Sequence, residues 1–212
     1  LRSRTGLAFA PGRHTGLETG IARAMSRAGV ATVPAYAAAL AAEKPERGKL
    51  LDDLLSEVTV GETYFFREPQ QVDFIRSEVL PDLRRRRHAD APLRFWSAGC
   101  ATGEEPYSLA ILLEEEGLAG RSRILATDLC RAALGRAHEG LYGRWSLRSS
   151  DEDFTSRYFT REGDSFRLAA RFRERVAFDY LNLSFDSYPS LALGVWGMDL
   201  ILCRNVLIYF DD

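Results

Sequence analysis

Of 212 residues only three are cysteine, three histidine and two methionine. Cys100, Cys130 and Cys203 include no closely spaced pair, which argues against a structural zinc site and a disulfide-stapled secreted scaffold; reduced thiols in a cytoplasmic protein fit this usage. His14, His88 and His138 are scattered and give neither metal-ligand spacing nor a candidate general base. The apolar runs are too short for a membrane span and there is no secretion signal, so direct membrane insertion is not expected. Charge of one sign is lacking too: 28 Lys and Arg against 30 Asp and Glu leave a formal charge of -2, and no nucleic-acid partner is expected.

What is present is a hydrophobic content of 46%, enough for one sizeable domain with a smaller companion. Leu17, Ile21, Ala24 and Met25 recur at helical spacing, followed by a break at Gly29 to Pro34 and then by Tyr36 and Leu40. Leu50, Leu51, Leu54, Leu55 and Val58 give a further amphipathic helix. Residues 1–60 therefore read as a small helical domain. Residues 61–92 read as an interdomain segment with a helix over Val72 to Leu80, stopped by Pro81. The run Arg84 to Arg87 is expected to keep a linker solvated.

From residue 93 the pattern changes. Leu93–Trp96, Ile124–Ala126, Val176–Phe178 and Asp199–Leu202 read as strands, and a helix opens near Glu104, which favours a mostly parallel sheet covered by helices. A small antiparallel excursion is expected at about 158–175.

Gly99 and Gly103 permit a sharp turn between strand and helix and close approach of a ligand to backbone. The spacing lacks a dinucleotide-binding glycine fingerprint, and no Gly-Lys-Ser or Gly-Lys-Thr run cradles phosphates, which disfavours a nicotinamide enzyme. Glu104 and Glu105, in the first helical turn, are poor neighbours for pyrophosphate but suit a ligand with a cationic amino group. Asp128, closing the second strand, can accept from a ribose diol. S-adenosylmethionine meets both requirements. The plainer alternative is that each acid only caps a helix.

The segments SAGCATGEEPYSLA at Ser97 to Ala110, ATD at Ala126 to Asp128, NL at Asn182 to Leu183 and CRNVLIYF at Cys203 to Phe210 resemble the chemotaxis receptor methyltransferase family, CheR. RTGL at Arg4 to Leu7 and GETYFFRE at Gly61 to Glu68 extend the resemblance across nearly the whole chain. It implies an α/β fold: a Rossmann-like methyltransferase sheet, here over 93–212, with the N-terminal all-helical domain and the antiparallel excursion. It also implies glutamate O-methylation of a chemoreceptor cytoplasmic helical domain, with S-adenosyl-L-methionine as donor and S-adenosyl-L-homocysteine as product.

By the same resemblance Glu105 meets the methionine amino group and Asp128 the ribose, while Asn182 and Leu183 flank the adenine. Gly99 and Arg204 line the cofactor site, and Thr63 and Arg67 reach its methionine end. Arg67 is the candidate for orienting the incoming carboxylate and Tyr209 is the cleft tyrosine, whereas Phe65 and Phe66 read as packing residues. The region Arg161 to Arg171 contains only Gly163 and resembles the variety that works without a receptor-tail pentapeptide. Substrate recognition would then rest on N-terminal positions such as Arg23 and Arg27. Leu129-Cys130 departs from the family's usual pair, and the N-terminal helix is less basic than usual, which keeps chemosensory pathways other than motility open.

The chain opens on Leu1 and ends at Phe210-Asp211-Asp212 after an apolar run. The expectation is therefore an excised fragment lacking the last part of its sheet, with reduced activity and an exposed sheet edge. The alternative from a different class is a noncatalytic cofactor-binding or receptor-interaction module on the same fold.

Overall fold

The computed structural model describes residues 1–8, 14–43, 48–59, 62–185 and 188–210. Gly61, Asp211 and Asp212, named in the motifs above, lie outside them.

A short helix, α1 (Arg2–Thr5), precedes three longer ones: α2 (His14–Ala28), α3 (Val33–Ala42) and α4 (Lys49–Val58). The break between α2 and α3 falls at Gly29, with φ 66°, and Thr32 caps α3 by accepting from the Ala35 N–H at 3.4 Å. The periodic face Leu17, Ile21, Ala24 and Met25 packs with Tyr36, Leu54 and Val58 as expected. Gly20 has a reason to sit mid-helix. A Cβ there would stand 2.7 Å from the Glu57 carbonyl oxygen, so α2 and α4 approach backbone to backbone. The other face of α4, Leu51 and Leu55, joins Leu7, Leu129, Tyr209 and Phe210 and docks the bundle onto the rest of the chain.

Pro81 does not end the following helix. Helices α5 (Pro69–Phe74) and α6 (Leu80–Arg86) are joined by a π-helical turn, Ile75–Val79. The Leu80 N–H reaches back to the Ile75 carbonyl, five residues away. Proline breaks an α-helix because it lacks a donor and its ring strikes the carbonyl four residues earlier, and the widened turn accommodates both. Arg84 to Arg86 of the arginine run are accordingly helical, not a linker, and Arg87 follows as the extended residue that ends α6. Arg84 pairs with Glu116, Arg85 and Arg86 with Asp82, and Arg87 with the buried carboxylate of Asp199.

Strands β1 (Leu93–Ala98) and β2 (Ser122–Asp128) are parallel, with Leu93 opposite Ser122 and Ala98 opposite Thr127. Helix α7 (Glu104–Glu115) lies between them in the chain and α8 (Arg131–Glu139) follows β2. Next come β3 (Leu141–Gly143), α9 (Glu152–Tyr158), β4 (Phe159–Glu162), β5 (Ser165–Leu168) and α10 (Ala170–Arg173), then β6 (Val176–Tyr180) and β7 (Leu200–Leu202). The main sheet runs β6-β2-β1-β7, all parallel. The excursion is a separate antiparallel sheet ordered β3-β5-β4, so the expected hairpin is present and a third strand from upstream completes it. Its face packs, through Tyr142, Phe159 and Leu168, with Phe172 of α10, into the same core as α7 and β1. Among the described residues no helix is long and apolar enough to cross a membrane.

Candidate functional site

The order β6-β2-β1-β7 places a reversal of winding between β1 and β7. In open α/β sheets the ligand crevice lies beyond the carboxyl ends of strands at such a point. A cavity of about 370 Å³ opens there, lined from β1 by Gly99 to Thr102, from β2 by Asp128 to Cys130, and from β7 by Arg204 to Val206. Thr63, Arg67, Glu105, Asn182, Leu183 and Tyr209 also line it, so all nine sequence-predicted site residues meet at one cleft.

Its floor is held by backbone. The Gly99 and Cys100 N–H groups donate to the Thr127 carbonyl at 2.8 and 3.0 Å. Gly99 has φ 76°, and a Cβ on it would stand 2.4 Å from a Val206 methyl, so glycine lets the β1 and β7 loops touch. Asp128 accepts from the Ala101 N–H through Oδ2 and from the Cys130 N–H through Oδ1, both at 2.8 Å. Burial raises the Asp128 pKa, and those N–H bonds oppose the rise.

Four non-glycine residues with positive φ border the cleft: Phe66, Glu68, Ala101 and Asn205. Phe66 and Glu68 flank Arg67, Ala101 supplies the N–H to Asp128, and Asn205 follows Arg204. Such residues each cost about 1–2 kcal/mol, and their clustering at one cleft is a mark of a functional site.

The two adjacent glutamates separate completely, because consecutive helical positions face different ways. Glu105 takes hydrogen bonds from Ser97 Oγ and Arg204 Nε, each at 2.6 Å. Arg204 Nη1 also donates to the Arg67 carbonyl at 2.8 Å and to Gln71 Oε1 at 3.2 Å, tying β7 to the segment before α5. Glu104 is only 2% exposed and caps nothing with its side chain. Its oxygens accept from Thr102 Oγ1 at 2.6 Å and Ser146 Oγ at 2.8 Å, and burial raises its pKa. Ser146 in turn accepts the Phe65 N–H through its carbonyl, and Ser108 Oγ, bonded to the Glu104 carbonyl, accepts the Phe66 N–H. Glu104 thereby anchors the turn that presents Arg67. Sequence reasoning missed this; the neighbouring Thr102 and Ser108 were the available signal.

Phe65 is fully buried, edge-on to Tyr142 and Phe159 at 4.9 and 5.0 Å, and Phe66 packs on Phe154, so both are packing residues. Arg67 Nη1 donates to the Glu62 carbonyl at 2.6 Å. Asn182 is buried. Its Oδ1 accepts from the Ser184 N–H and hydroxyl, and its Nδ2 donates to the Arg4 carbonyl at 3.3 Å. Residues 1–8 thus cross to the cleft: Leu7 bridges Phe210 and the Ala8 N–H donates to the Tyr209 carbonyl. The described cleft lining contains no histidine; His88 is exposed beside Asp90 and His138 packs on Phe178. Arg23 and Arg27, expected to face a partner, both pair with Glu57 of α4.

Residues 61–212 match the family model described as CheR methyltransferase, SAM binding domain. The chain is similar to the chemotaxis protein methyltransferase of Borreliella burgdorferi, 33% identical over 177 residues that cover 80% of this chain and 61% of that protein. It is 38% identical to the chemotaxis protein methyltransferase of Listeria innocua over 161 residues, covering 76% and 58%. It is 39% identical over 160 residues to the probable biofilm formation methyltransferase WspC of Pseudomonas putida, covering 74% and 37%. The chain thus spans between about a third and three fifths of the length of these relatives.

Proposed function

Since this chain belongs to the CheR methyltransferase family, we propose that it binds S-adenosylmethionine in the cleft beyond β1, β2 and β7. There it esterifies glutamate side chains on a helical cytoplasmic domain of a chemoreceptor or related chemosensory receptor, leaving S-adenosylhomocysteine. The observation that carries this reading is the pair of carboxylates lining one cleft, Glu105 in the first turn of the helix after β1 and Asp128 at the end of the neighbouring parallel strand β2, with the Gly99 turn between them.

The residues present fit that group. Each oxygen of the Asp128 carboxylate holds one N–H and retains acceptor capacity for a ribose hydroxyl. Glu105, held by Ser97 and Arg204, retains capacity for an ammonium. Asn182 and Leu183 would flank the adenine, and Thr63, Arg67, Gly99 and Arg204 complete the enclosure. Bound there, S-adenosylmethionine supplies a methyl group made electrophilic by its sulfonium.

A glutamate acceptor is already ionised at neutral pH, its reference pKa being about 4.3, so the chain needs no general base. Its task is alignment and exclusion of water. Arg67 orients the incoming carboxylate through its guanidinium fork, which requires exchange of its bond to the Glu62 carbonyl. Tyr209 shapes the cleft wall. We also propose the division into a helical domain (1–60), a connecting segment (61–92) and a methyltransferase domain (93–212), cytoplasmic placement, and recognition without a receptor-tail pentapeptide. The WspC relative keeps a pathway other than motility within this reading.

The test is incubation with labelled S-adenosylmethionine and receptor cytoplasmic fragments, followed by mild alkaline release of methanol. Alkali-labile label on glutamate is the expected outcome. Cofactor binding with no label on any glutamate would establish the noncatalytic module instead.

A further inference from the structure

Beside the cleft, but outside it, Arg148 is stacked between two aromatic rings. Its guanidinium carbon lies 3.7 Å from the ring centre of Tyr64 and 4.2 Å from that of Trp145. Nη1 donates to the Trp145 carbonyl at 2.9 Å, and Nη2 donates to Glu62 Oε1 at 3.3 Å. Glu62 lines the cleft mouth and its side chain is 56% exposed, and the Trp145 indole is 65% exposed. Tyr64 also has the Arg67 guanidinium 5.9 Å from its ring centre. A flat, pre-set guanidinium, a large exposed indole and a carboxylate already in place thus form one ledge at the entrance.

Stacking fixes the plane of a guanidinium while leaving its edge for a carboxylate. An exposed ion pair such as Arg148–Glu62 contributes little stability and is readily exchanged. Exposed tryptophan and arginine side by side are the residues that most often anchor a protein partner.

Resting on the function proposed above, we infer that the Tyr64–Arg148–Trp145 ledge docks the glutamate-bearing helix of the receptor substrate, and that Glu62 is the built-in occupant which a substrate carboxylate displaces. The helix lays apolar surface on Trp145 and a carboxylate on Arg148. A second glutamate of the same helix then faces Arg67 inside the cleft. Specificity for acidic helices resides in this ledge; the bundle's Arg23 and Arg27 are both paired with Glu57.

The experiment measures binding of a soluble helical receptor fragment carrying its glutamates, apart from methyl transfer, and in parallel the KM and kcat for that fragment. Trp145→Ala and Arg148→Ala should each weaken fragment binding and raise its KM about tenfold, with kcat and the affinity for S-adenosylmethionine within twofold. Arg148→Lys keeps the charge but not the fork or the stack and should fall between. Glu62→Gln removes the internal competitor and should tighten fragment binding about threefold. Unchanged binding in Trp145→Ala, whose side chain is exposed, would overturn the ledge, as would weaker binding in Glu62→Gln. Fragment binding that depends on Trp145 and Arg148 without any methyl transfer would leave the ledge standing and remove the proposed reaction. Transfer indifferent to both residues would do the reverse.

Discussion

The two sides of the cleft are built differently. The floor, Gly99 to Thr102 with Asp128, is held by backbone N–H groups donating to a strand carbonyl and a half-buried carboxylate. In the lip, Glu62 to Arg67 with Arg204, the Phe65 and Phe66 N–H groups fix the turn from below, while its cleft side is held by arginine side chains donating to carbonyls and to side chains that are partly exposed. A floor of that kind exists before any ligand arrives, and a lip of this kind has bonds it can exchange. The comparison assigns cofactor affinity and stability to the first, and acceptor placement to the second.

The sharpest way to break that assignment is Asp128→Ala, which should cost on the order of 100-fold in affinity for S-adenosylmethionine by titration calorimetry. It should also lower stability by about 2 kcal/mol, since the partly buried Ala101 and Cys130 N–H groups lose their acceptor. Arg67→Ala should keep cofactor affinity within threefold while turnover falls about 100-fold, or about 2.7 kcal/mol; unchanged turnover would remove Arg67 from the reaction. Gly99→Ala, strained in φ and pressed against Val206, should destabilise by about 3 kcal/mol in denaturant unfolding.

The smallest effect concerns Glu104, which joins the two sides. Its folded pKa lies above the ordinary 4.5, so its contribution to stability is complete below that value and is lost as pH rises through the raised one. Glu104→Gln abolishes this titration. Wild type should therefore lose stability relative to the variant as pH rises above 4.5, and thermal melting at several pH values checks the sign. A gap independent of pH would mean that folding leaves the Glu104 pKa at its ordinary value, and would overturn the upward shift.

Much of this architecture was legible beforehand where local pattern and burial agree. The four parallel strands, α7 and the convergence of Glu105, Asp128 and Arg204 followed from apolar runs ending in glycine or acid and from the family motifs. What escaped depended on partners distant in sequence. Strand β3 is three residues long and becomes a strand only by pairing with β5, over twenty residues on. Arg4 to Leu7 carry a family motif, but its position at the cleft shows only once Asn182 and Tyr209 are brought beside Arg4 and Ala8. Glu104 and Glu105 look alike in sequence and differ only in which way a helix turns them.

The π-helical turn Ile75–Val79 sets a phase. Ile75 and Leu80, five residues apart, both enter the main core, although an α-helix would put a residue four positions on, not five, on the same face. The turn is in effect a one-residue splice between a segment whose Gln71 touches Arg204 and a segment whose Arg84 and Arg87 grip Glu116 and Asp199. Removing one residue would rotate the first segment by roughly 100° against the second. Length, more than composition, is what this stretch of sequence has to preserve.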